Sequence, residues 1–137
     1  MKAKEGFTLV ELMVVILIIG VLAAVAIAMM TSQTDEAKWS EAHTSAGSIR
    51  RAIRSYVAET NLAAAQTLVG NSLGDPATRD LIGFSATDLE GTYFSPSDYV
   101  ITSVSLTGFA AITATGSKAN APSGSYQLEE DGDWVKQ

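Results

Sequence analysis

Few residues of the chain join a reactive side chain to a setting that would use it. Glu11 stands at the head of an apolar run. A carboxylate at the centre of a hydrocarbon layer costs about 3 kcal/mol, less toward its edge, so Glu11 is the first functional suspect. Glu129, Glu130, Asp131 and Asp133 form the densest acidic group, and carboxylate oxygens are the hard ligands that calcium takes. Their spacing is not that of an EF-hand loop, and adjacent acids on a hairpin also simply face water, so both readings stand. His43 is the only histidine. Amid the charged residues of a helical stretch it is expected to be an exposed helix residue rather than a base. Residues 70–74 bring two glycines together without the Lys-Ser/Thr of a phosphate loop, which leaves nucleotide binding unsupported. No constellation points to catalysis, so no catalytic residue is assigned and the chain is not expected to be an enzyme.

The elements that carry these residues follow from an uneven composition. The chain has 137 residues, no cysteine, and a net charge of −6. A disulfide framework, a thiolate zinc site and a His-rich metal site are thereby excluded. The acidic excess argues against nucleic acid, whose affinity rests on Lys and Arg neutralising phosphates. Residues 12–30 are apolar at 18 of 19 positions, with Gly20 the exception, whereas the remainder is apolar at 46 of 118. The sequence therefore describes two objects, a membrane-length segment and an acidic, water-soluble head. At 1.5 Å per helical residue the run spans about 28 Å, close to the hydrocarbon thickness of a bilayer. Lys2 and Lys4 precede it and Asp35 and Glu36 follow it, which leaves the N-terminus cytoplasmic and exports the bulk of the chain. A cleaved secretory signal with a small-x-small site at 26–28, and a plain single-span anchor, compete for the same segment. A buried helix competes less well, because a domain this small could hardly surround it.

The setting of Glu11 separates these readings. The stretch Gly6-Phe7-Thr8-Leu9-Val10-Glu11-Leu12, continued by the aliphatic run through Ile27, resembles the cleavage and methylation signature of type IV pilins and type II secretion pseudopilins. The resemblance implies that residues 1–6 are a leader, cut by a prepilin peptidase between Gly6 and Phe7, with N-methylation of the new Phe7 terminus. It implies that residues 7–30 lie first in the inner membrane and then in a filament core, and that residues 31–137 form a periplasmic or extracellular head. It also implies that Glu11 docks subunits by pairing with a neighbour's terminal amine. A carboxylate and an ammonium inside a low-dielectric bundle neutralise each other, whereas either alone is costly. An assembly ATPase and an inner-membrane platform protein are implied as partners. Some pseudopilins bind calcium near the C-terminus, which bears on the acidic cluster. Many relatives carry proline after the position of Ile27, where this chain has Ala28. Gly20 is then the one weak point of the helix, by about 1 kcal/mol relative to alanine, and neither a kink near Ala28 nor local unwinding from there to Gly20 is implied.

Beyond the apolar run, Ala42, Ala46, Ile49, Ile53 and Tyr56 recur at spacings of four and three, which predicts that the helix continues with one apolar face. Asp35, Glu36 and Glu41, then Arg50, Arg51 and Arg54, are expected to make a solvated face, with a role between subunits as the alternative. Trp39 is expected against a neighbouring helix in a filament and Trp134 in the core of a sheet. A helix over about 8–60 would be roughly 80 Å long, so its apolar half is expected to protrude. Asp75-Pro76 predicts a capped short helix through Ile82, and Ser85 with Asp88 a further turn. Residues 99–106 read as a strand with Val100, Val104 and Leu106 on one face. Residues 109–115 follow as a second strand after a turn at 107–108, then a loop over 116–124. Residues 126–128 and 134–135 flank an acidic turn with Gly132 at positive φ.

The expected fold class is α+β: a long N-terminal helix whose second half packs on a small antiparallel sheet of three or four strands, as in pilins. The expected function is that of a structural subunit of a type IV pilus or a pseudopilus, self-associating into a helical filament. The competing expectation is an exported or singly anchored binding domain that uses residues 1–30 only for targeting.

Overall fold

The computed structural model describes residues 6–137. Of the expected leader only Gly6 lies among them; residues 1–5, with Lys2 and Lys4, lie outside the described residues. Helix α1 runs over Leu9–Glu59 without a break, through Gly20 and Ala28 alike. Its bounds fall within one residue of those expected at each end. The chain divides into two units, Met1–Thr34 and Asp35–Gln137.

In the second unit, Trp39, Ala42, Ala46, Ile49 and Ile53 of α1 are buried, a stripe with the 3–4 spacing of one helix face. Helix α2 (Leu62–Gln66) is capped by Asn61, whose side chain accepts from the Ala64 N–H at 2.8 Å. Helix α3 (Pro76–Leu81) begins as the Asp75-Pro76 pair predicts, with the Asp75 carboxylate accepting from the backbone of Ala77 and Thr78. Ser85 and Asp88 close a turn, the Asp88 carboxylate accepting from the Ser85 N–H at 2.7 Å. A 3₁₀ turn at Pro96–Asp98, closed by a reciprocal Ser95–Asp98 capping box, leads into the sheet.

Strands β1 (Tyr99–Val104), β2 (Ala110–Thr115), β3 (Ser125–Leu128) and β4 (Trp134–Lys136) form an antiparallel meander in sequence order. Beyond β1 the segment at 70–73 pairs along its outer edge, the Gly70 N–H donating to the Ile101 carbonyl at 2.7 Å and the Leu73 N–H to Tyr99 at 2.9 Å. Tyr99, Ile101, Val104, Ile112, Ala114 and Leu128 meet the helical stripe in one core.

The face expected of β1 is corrected. Val100 is half-buried and Leu106 is 85 % exposed, while Tyr99, Ile101 and Val104 are buried. The register slips between Ile101 and Ser103, so Thr102 is bulged out and the inward parity changes along the strand. The strand ends at Val104, and Leu106 sits in the following turn, where Gly108 takes φ +81. Gly132 does adopt the positive φ expected of it, +107, in the turn between β3 and β4.

Candidate functional site

The first unit carries the residues singled out at the N-terminus. Every residue over 6–34 is exposed, and Phe7 is 88 % exposed. Contiguous bare apolar surface on this scale marks a surface that another protein or lipid covers. The helix is long and apolar enough to cross a membrane. Thr31 and Thr34 do not interrupt this character, because their hydroxyls donate back to the Ile27 and Met30 carbonyls at 3.0 and 2.8 Å. Gly20 lies in a shallow apolar dent with Met13, Ile16, Leu17, Val21 and Ala24, all on one side of the helix.

Glu11 occupies the third position of α1 and Thr8 its N-cap. The Thr8 N–H and hydroxyl both donate to Glu11 Oε2, at 2.9 and 2.7 Å, and the Glu11 N–H donates to Thr8 Oγ1 at 3.2 Å. This reciprocal capping box satisfies N–H groups that the first turn would otherwise leave open. Oε1 of Glu11 accepts no hydrogen bond among the described residues. The Thr-x-x-Glu spacing before an apolar run is the sequence signal for this box.

At the other end of the chain, two members of the acidic cluster, Glu130 and Asp131, have hydrogen-bond partners for their carboxylates. The Ser103 hydroxyl donates to Glu130 Oε1 at 2.6 Å, and the Asp133 N–H donates to Asp131 Oδ1 at 3.0 Å. The Arg50 guanidinium donates to the Glu130 carbonyl. Among the described residues no three acidic or imidazole groups gather where they could hold a metal ion. Glu129, Glu130, Asp131 and Asp133 as arranged therefore do not fit a calcium cage.

Four further expectations are corrected. Trp39 is not free for a neighbouring helix: it is 4 % exposed, packed against Phe94 at 5.1 Å and Tyr126 at 4.7 Å between ring centroids. His43 is not an exposed helix residue: it is half-buried and stacked on Trp134 at 4.2 Å. Trp134 is accordingly only half-buried, at the margin of the core. The charged face of α1 is not all solvated. Glu41 accepts from the backbone N–H groups of Thr92, Tyr93 and Phe94 at 3.0, 3.0 and 2.9 Å, and Arg50 and Arg54 lie over the Phe109 ring at 5.0 and 4.6 Å.

Residues 1–27 match the family described as the prokaryotic N-terminal methylation motif. A fimbrial protein of Pseudomonas aeruginosa is 41% identical over 59 residues, which cover 43% of this chain and 38% of the relative. Fimbrial protein EcpC of Eikenella corrodens is 40% identical over 58 residues, 42% of this chain and 38% of the relative. The chain thus spans well under half the length of these two relatives. The type IV major alpha-pilin of Moraxella bovis is 36% identical over 133 residues, covering 88% of this chain and 74% of the relative. None of the three is named as an enzyme. With the methylation motif at its head and almost three quarters of the Moraxella pilin matched, the chain belongs to the type IV pilin family.

Proposed function

We propose that the chain is a structural subunit of a type IV pilus or pseudopilus, held in the inner membrane by residues 7–30 and then assembled through the same segment into a helical filament. The observation that carries this reading is the wholly exposed apolar run opening on Glu11. In water its burial against sibling helices is worth about 25 cal/mol per Å² of apolar surface. In lipid that drive is largely absent, so extraction needs outside work, supplied by an assembly ATPase through a platform protein. Prepilin peptidase cleaves after Gly6 and methylates Phe7. Both residues are exposed, and a side chain at Gly6 would meet nothing within 4 Å, so the scissile bond is open to an enzyme.

Glu11 then sets register. Thr8 holds one carboxylate oxygen, which fixes the side chain's direction and leaves Oε1 for the methylated amine of a neighbour. The glutamate retained at this position supports a shaft rather than a tip subunit, and the absence of cysteine is at odds with the C-terminal disulfide loop of many major pilins. The N-terminus faces the cytoplasm before cleavage and the head lies outside it.

The test is mass spectrometry of the mature chain from a host with the assembly apparatus. N-methyl-Phe7 as the first residue is expected, with the chain recovered in sheared filaments. A start at Met29, or an intact Met1, would instead favour an exported or anchored binding domain.

A further inference from the structure

His43 is the only histidine of the chain and the fold gives it an uncommon setting. Its ring stacks on Trp134 of β4 at 4.2 Å with the planes 28° apart, and Tyr126 of β3 stands edge-on at 6.1 Å. Its Nε2 is buried and has no hydrogen-bond partner. On α1, the residues one turn away on either side are Trp39, Ser40, Ala46 and Gly47, none of them charged. Lys136 shares the face of β4 with Trp134 but is exposed; in the β3–β4 turn Glu130 accepts from Ser103 and Asp131 from the Asp133 N–H, Asp133 is exposed beside Trp134, and Glu129 is half-buried. Among the described residues no carboxylate is hydrogen-bonded to the ring's Nε2.

We propose that the His43–Trp134 stack is a proton-operated latch: the neutral ring holds the β3–β4 hairpin on α1, and protonation in mildly acidic surroundings releases it. A buried nitrogen with no partner tolerates a lone pair at modest cost, but an imidazolium there needs a hydrogen-bond acceptor, and no protein group accepts from Nε2. Burial pushes the pKa of His43 below its ordinary 6.5. The folded hairpin therefore prefers the neutral ring. Its stability is full above 6.5 and is lost as pH falls below that value toward the lowered one. Strand β4 is the element that yields, being three residues long and paired on one side only, to β3.

The experiment is amide hydrogen exchange on the full chain in detergent micelles between pH 7.5 and 5.5, corrected for intrinsic exchange. The Glu129 and Gln137 amides, which donate to Asp133 and Ser125 at 2.8 and 3.0 Å, report the hairpin, and the Ile101 amide reports the rest of the sheet. Opening of the hairpin is expected to rise over that range, by at most about tenfold, while Ile101 changes little. In His43→Phe, which keeps an aromatic ring and removes the titration, the rise should vanish. Equal pH dependence in the variant and the wild type would overturn the proposal. So would a ring titration of wild-type His43 by NMR at or above 6.5, a measurement that does not depend on the variant folding.

Discussion

Removing the carboxylate of Glu41 should be among the most damaging single changes to the head. Its two oxygens take the backbone N–H groups of three consecutive residues, Thr92, Tyr93 and Phe94. Hydrogen bonds to an ionised group are worth about 1.5–3 kcal/mol each, and a buried donor left unpaired forfeits its full desolvation penalty. Thr92 is exposed and water would replace its lost partner, Tyr93 is half-buried, and Phe94 is fully buried. Weighting the three in that way gives a loss of about 3 kcal/mol for Glu41→Ala. In a unit of this size that lowers Tm by roughly 15 °C. Thermal unfolding of the full chain in micelles, followed by tryptophan fluorescence, is a suitable assay, since Trp39 touches Phe94 directly. Glu36→Ala, at an exposed position, is the control and should stay within about 0.5 kcal/mol. A side chain at Gly91 would run into the Glu41 carboxylate, so Gly91→Ala should also destabilise, and should do so less in the Glu41→Ala background. Glu41→Ala melting within two or three degrees of wild type, ~0.5 kcal/mol or less, would refute the assignment of the cradle as a principal fastening.

Other changes probe separate parts. Gly132→Ala forces a side chain onto φ +107 and brings it to 3.1 Å from Arg50 Nη1; a loss of about 1–3 kcal/mol is expected in denaturant unfolding. Asp75 is held below its ordinary 3.8 mainly by the hydrogen bond from the Thr78 hydroxyl, then by the Thr78 N–H. Its contribution is therefore present above 3.8 and lost as pH falls through the lowered value, which exchange of the Ala77 and Thr78 amides in acid would follow. Glu11→Ala should leave the chain in the membrane fraction yet reduce its share of sheared filaments several-fold; an unchanged filament yield counts against the docking role.

Local periodicity was enough to read the long helix, because the 3–4 spacing of Ala42, Ala46, Ile49 and Ile53 survives into the core unchanged. Asp75-Pro76 and Gly132 were legible for a similar reason: each is a backbone requirement met by one or two residues. The facing of β1 was not legible, since a single bulged residue, Thr102, alters the alternation on which such a reading depends. Nor were the fastenings that join distant segments. Glu41 reads as one more surface acid until the chain brings residues 92–94 beneath it, and His43 reads as exposed until Trp134 covers it. At the candidate assembly segment the apolar run and Glu11 are plain from residue types, while the part played by Thr8 is legible only through the Thr-x-x-Glu spacing.

The seal along the outer side of β1 has a bearing on crowding. Sheets recruit strangers through unpaired borders, and a filament would hold many such heads at close quarters. Here the 70–73 segment occupies one border, and the other is three residues long with a lysine upon it. Strand-by-strand growth into amyloid-like ribbons thus has almost nowhere to begin.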